Sequence, residues 1–193
     1  MDEVVTLLGE VHGKKETPLF AKKYLLEADT VCLEIPSDQQ VFVDENRLSE
    51  SRFFSRRSED GRSTVEYQEL VEELISKGVR VVCVDISSLW DLFRGRDKII
   101  ARNICAASSG RTVALLGAVH AANKRVWFGP LPASQPVSVY LRERGVRVRT
   151  VALAPSSGEC FNHRVKVVSL FAYEQYFDEV VDVGVVTPAT PRT

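Results

Sequence analysis

The chain has 193 residues, a formal net charge of −1, and 45% hydrophobic and 26% charged residues. That length suits one domain with its own core, and the composition is that of a globular chain, which argues against a disordered one. The near-neutral charge gives no general attraction to nucleic acid or an anionic membrane, so neither is expected as a partner.

No apolar run approaches the roughly 20 residues of a membrane span. Met1-Asp2-Glu3 lacks the basic start of a signal peptide, so a cytoplasmic protein is expected. Cys32, Cys83, Cys105 and Cys160 form no CxxC pair and read as reduced structural thiols.

In chain order, Val4 to Leu8 predicts a first strand, and Pro18 to Glu27 a helix with Leu19, Phe20, Tyr24 and Leu25 on its apolar side. Val31 to Ile35 is a second strand, stopped by Pro36. Residues 37–64 read as an irregular helical or loop excursion with an exposed tip. Its arginines Arg52, Arg56, Arg57 and Arg62 offer an anion contact, or simply a solvated face. Val65 to Lys77 is a helix ended by Gly78, and Val79 to Val84 a third strand closing on Asp85. Trp90 to Ala107 is mostly helical, Val113 to Leu116 a fourth strand, Val137 to Arg144 a helix and Val146 to Leu153 a fifth strand. Val165 to Phe171 and Val180 to Val186 are candidate sixth and seventh strands, and the tail after Thr187 is expected to be irregular. Strands alternating with helices imply right-handed βαβ units. The expectation is one α/β domain over 1–193, with a central, mostly parallel sheet between two helical layers.

Polar residues collect where the strands end. Glu10 and His12 follow strand one in Gly9-Glu10-Val11-His12-Gly13, Glu34 and Asp85 end strands two and three, and His120 follows strand four in Gly117-Ala118-Val119-His120. Ligands of parallel sheets bind outside those carboxyl ends. Glu10 and His12, two apart, share a face if the strand continues through them. Two chemistries fit: a His/Glu general-base site, or a divalent metal held by Glu10, His12, Glu34 and His120. The competing readings are hydrogen-bonded histidines, a structural ion pair for Glu34 and a helix cap for Asp85. Arg96, opening its helix, would reach the same edge and clamp an anion. Cys160 and His163 make only a weak metal or nucleophile pair.

These motifs, in this order, resemble the erythromycin esterase and ChaN-like superfamily, whose relatives include the TraB and TIKI proteins. The resemblance rests on Leu7-Leu8-Gly9-Glu10-Val11-His12-Gly13, Glu34, Arg96-Asp97 running to Ala101 and Asn103, and Leu116-Gly117-Ala118-Val119-His120. The stretch from Phe177 to Thr190 adds a likeness to the esterase C-terminal strand. Ile100 stands where Met is usual, and Val119 where small residues are common. The excursion after strand two replaces the large helical insertion of the macrolide esterases. The resemblance implies a hydrolase acting on a small ester, amide or phospho-substrate, with His12 as base. Glu10 and Glu34 would orient it or bind metal (Mn, Co, Zn or Ca), and Arg96 and His120 would position substrate or stabilise the oxyanion. The ChaN branch is associated with haem, so a non-catalytic haem- or metal-binding module is the alternative, with Tyr24, Tyr67 and Tyr140 as conceivable ligands. A third reading is an interaction domain of a larger protein such as a toxin.

Overall fold

The structure is a computed structural model and describes residues 4–55, 61–88, 95–126, 135–159 and 171–191. Its centre is a six-stranded sheet of β1 (Val4–Glu10), β2 (Thr30–Pro36), β3 (Arg80–Asp85), β4 (Thr112–Gly117), β5 (Arg147–Ala154) and β7 (Glu179–Asp182). The spatial order is β3-β2-β4-β1-β5-β7, and every pairing is parallel.

Side-chain alternation divides the core into two layers. Leu8, Val31, Leu33, Val113, Leu115, Val151 and Leu153 face one side, where they meet Ala21 and Leu25 of α1 (Glu16–Leu25) and Leu70, Val71 and Leu74 of α3 (Val65–Ser76). The intervening residues Leu7, Cys32, Ala114, Leu116 and Ala152 face the other side. There they meet Ile100, Ala101 and Ile104 of α4 (Arg96–Ala107) and Leu141 of α5 (Val137–Arg142). Strands buried on both faces read as unbroken apolar runs, which is why β2 and β4 were visible in the sequence. Burial pushes the thiols of Cys32 and Cys83 up to about 12, as expected of structural cysteines.

Several boundaries differ from expectation. β1 runs two residues further and carries Glu10 itself. The helix expected from Trp90 begins, among the described residues, at Arg96, after Gly95 at φ 88°. The excursion folds as a short 3-10 turn, a helix α2 (Gln40–Asp44) and a second turn, and it buries Phe54 against Phe53 and Tyr67. Arg56 and Arg57 lie outside the described residues, as does nearly all of the candidate strand at 165–171. Its last residue, Phe171, opens a helical turn instead. The seventh strand splits at Gly184: Glu179–Asp182 joins the sheet, and β8 (Val185–Val186) pairs with β6 (Ser157–Gly158).

The tail is ordered as a strap. Thr187 gives its N–H and hydroxyl to Glu16, Thr190 gives both of its own to Glu66, and Ala189 N–H bonds Gly13 O at 2.9 Å. The strap thereby ties both helices of one face to the loop just after His12. Among the described residues no helix is long and apolar enough to cross a membrane.

Thr64 caps α3, its hydroxyl accepting Tyr67 N–H at 3.2 Å. Thr64→Ala is expected to lower unfolding free energy in urea by ~1 kcal/mol, while exposed Ser76→Ala changes it by less than ~0.5 kcal/mol.

Candidate functional site

Consecutive connections fix where the site falls. The chain leaves β1 for β2 on one side and leaves β4 for β5 on the other, and β1 and β4 are neighbours. This is the switch point at which an open parallel sheet leaves a crevice outside its carboxyl ends. Glu10 ends β1, Gly117 ends β4, Glu34 lies two residues before the end of β2, and His120 sits three residues past β4.

Glu34 is the centre. Its side chain is 3% exposed, and Gly117 N–H donates to Oε2 at 2.6 Å. Arg96 Nη2 donates to Oε1, with Arg62 Nη1 at 3.4 Å from the same oxygen. Burial works against its charge, but His12, His120, Arg96 and Arg62 outweigh burial and hold the carboxyl at about 2. A Cβ on Gly117 would stand 3.1 Å from His12 Nε2 and 3.4 Å from Glu34 Oε2, a tight approach that glycine avoids.

Two carboxylate–imidazole pairs flank this anchor. His12 Nδ1 lies 3.2 Å from Glu10 Oε1, and His12 Nε2 stands 3.8 Å from Glu34 Oε2, beyond hydrogen-bond reach. His120 Nδ1 lies 2.5 Å from Asp97 Oδ1, with Nε2 3.9 Å from Glu34 Oε1. Carboxylates on Nδ1 favour the Nδ1–H tautomer in both rings. Burial lowers each imidazole pKa, yet the net direction is upward. For His12 the cause is the hydrogen bond and charge of Glu10, with Glu34; for His120 it is the hydrogen bond to Asp97, with Glu34. The rings differ at Nε2. His120 Nε2 is 3.0 Å from Arg96 Nη1, a group that can only donate, so it accepts.

Arg96 is itself gripped by Asp85, through Nε at 2.7 Å and Nη2 at 2.8 Å. Arg62 Nη1 bonds Asp85 at 2.8 Å, and Asp85 also accepts Ile86 N–H. The hydrogen bonds and charges of Asp85 and Glu34 raise the guanidinium pKa of Arg96 against its burial. A cavity of about 10 Å³ lies beside His12, lined by Glu10, Lys14, Arg62, Thr64 and Tyr67 among others. It is room for about one water.

The structure thus brings together Glu10, His12, Glu34, Asp85, Arg96 and His120. Asp97 and Arg62 join them without having been singled out. Asp97 was in view in the Arg-Asp pair that opens α4, whereas Arg62 was hidden in a basic run that reads as solvated. Of the conceivable haem ligands, Tyr67 is buried against the cavity, and Tyr24 and Tyr140 are half-buried away from it. Cys160 and His163 lie outside the described residues.

The expected metal set fits poorly. Among the described residues no group of three or more His, Cys, Asp or Glu side chains is arranged to hold a metal ion. Glu34 gives its oxygens to a backbone N–H and guanidinium groups, and those cations stand where a divalent ion would need acceptors.

Fold and cluster define a parallel α/β protein with a charged cluster of carboxylates, imidazoles and guanidinium groups at its sheet switch point. No family model and no curated protein matches the sequence. Solved structures sharing the fold include a Bacillus cereus protein, at TM-score 0.71 and 11% identity over 96% of this chain and 89% of that one. The haem-binding ChaN of Campylobacter jejuni aligns at TM-score 0.51 and 13% identity, over 78% and 81%. A bacterial protein toxin aligns at TM-score 0.50 and 17% identity over 79% of this chain, which spans only 34% of the toxin chain. These similarities reach the ChaN side of the expected resemblance at the level of fold, and do not bear on its erythromycin esterase, TraB or TIKI side.

Two outcomes are expected. Because the carboxyl of Glu34 is held near 2, below the usual value of 4.5, its contribution to stability is full above about pH 4.5 and fades as pH falls toward 2. Glu34→Gln should therefore cost ~3 kcal/mol at pH 7 in urea unfolding, a gap that closes on acidification. Asp97→Asn removes the main upward influence on His120, so the ring should titrate at lower pH by NMR.

Proposed function

We propose that the protein is a hydrolase in which His12 activates water against a small ester, amide or phospho-substrate. The observation that carries this reading is the Glu10–His12 pair. Nδ1 is committed to a carboxylate, and Nε2 stands out of hydrogen-bond reach of Glu34 beside a cavity the size of a water. A neutral imidazole oriented in this way accepts a proton from water at Nε2 as the oxygen attacks. Glu10 balances the imidazolium, which then returns the proton to the leaving group. His12, Arg62, Arg96 and His120 are each about a fifth exposed, so a substrate has a face on which to land. The two guanidinium groups favour a centre on which negative charge develops. Glu34, ion-paired and buried, acts as an anchor and neither as base nor as nucleophile.

The likeness to ChaN supports a second reading, a haem-binding module without turnover, and the toxin likeness leaves room for an interaction domain. Hydrolysis of p-nitrophenyl acetate and bis-p-nitrophenyl phosphate separates them from the first. His12→Ala is expected to lower kcat by ~10²–10⁴. In the wild type kcat/KM should rise with pH through a value above 6.5, the direction in which Glu10 moves His12. No turnover above that of His12→Ala, with stoichiometric haem uptake seen in the visible spectrum, would replace the hydrolase by the haem reading.

A further inference from the structure

A second cavity lies away from the strand-end cluster and shares none of Glu10, His12, Glu34, Arg96 or His120. It is a groove of about 500 Å³ along the free edge of β3, between α4 and the 3-10 turn that leads into α2. That volume lies in the range of small-molecule sites.

A free strand edge ordinarily invites another strand, but this one is already closed. Gln40 sets its amide against it, donating to Val81 O at 3.0 Å and accepting Cys83 N–H at 2.7 Å. Asn103 donates to Val84 O at 3.0 Å. With those backbone groups taken, a peptide cannot add to the sheet there, and recognition falls to side chains. The floor is apolar, built from Val82, Ile86 and Ile99. The polar lining is dominated by two arginines. Arg80 gives one N–H to Ala107 O at 3.1 Å, and neither Arg80 nor Arg102 forms an ion pair among the described residues. Two acids stand on the facing wall: Asp38 is paired with Arg52, while Asp44 accepts from the Gln40 amide and keeps its charge. The lining itself carries two guanidinium groups and no carboxylate, over an apolar floor.

We propose that this groove is a second binding site, for a small organic anion: a carboxylate, sulfonate or phosphate carried on an apolar body. The two guanidinium groups would hold the anion, and the apolar body would cover Val82, Ile86 and Ile99. Cys83, in the floor, takes no covalent part, because burial raises its thiol to about 12.

The test is calorimetric titration of the full chain with 1-anilinonaphthalene-8-sulfonate, an anion of this form. One site is expected. Exposed Arg102→Glu should weaken it by about tenfold or more, and Ala106→Trp, which fills the groove from α4, should abolish it. Lys23→Glu, an equal charge change on α1 across the sheet, should stay within about twofold. No binding by the wild type, wild-type affinity in both groove variants, or an equal loss in Lys23→Glu overturns the proposal. His12→Ala is expected to bind like the wild type, so failure of this site and failure of the hydrolytic reading are read separately.

Discussion

A carboxylate buried at the end of a parallel sheet must be given partners or lose its charge, and Glu34 sets that requirement for everything around it. Stripped of water, an ionised carboxyl costs several kcal/mol unless donors replace its hydration. Gly117 supplies a backbone N–H, Arg96 a guanidinium hydrogen bond and Arg62 a second cation. Each donor then makes a demand of its own. Arg96 shares its charge with Asp85, and a side chain at Gly117 would press on His12 and Glu34. The cluster is a chain of compensations that begins with one buried acid.

The fold makes those compensations affordable because they come from different elements at one place. β1, β2 and β4 bring Glu10, Glu34 and Gly117 to adjacent strand ends, β3 brings Asp85, and the first turn of α4 brings Arg96 and Asp97 together. Arg96 and Asp97 are neighbours in sequence, yet they serve different partners: the arginine turns to Glu34 and Asp85, the acid to His120. The strap at 183–191 closes the far side, tied to the first turns of α1 and α3 through Glu16 and Glu66. Its hydrogen bonds explain how a proline-containing tail holds a fixed path over the loop that follows His12.

The core of this arrangement was legible in the sequence, for a physical reason. Strands buried on both faces must be continuously apolar, so a lone Glu34 or Asp85 at the end of such a run announces itself. Glu10 and His12 were readable from a two-residue spacing that puts them on one side of an extended chain, and the pair does meet. What could not be read depends on direction. Arg62 belongs to a basic run whose composition suits solvent, and only the path of the excursion turns it inward onto Asp85 and Glu34. The strap was missed because its hydrogen bonds reach across more than a hundred residues, to Glu16 and Glu66. The expected metal set fits poorly for a related reason: the same residue types at the same strand ends suit a cation only if no arginine arrives first.

The two imidazoles look equivalent on paper, each with a carboxylate on Nδ1 and Glu34 nearly 4 Å from Nε2. One contact separates them. Arg96 donates to His120 Nε2, so protonating that nitrogen would set two N–H groups against each other. Among the described residues no such donor stands against His12 Nε2. The guanidinium thus opposes the upward pull of Asp97 and Glu34 on His120 through a direct contact that His12 does not share among the described residues. The asymmetry comes from a single guanidinium nitrogen, itself held in place by the acid at the end of β3.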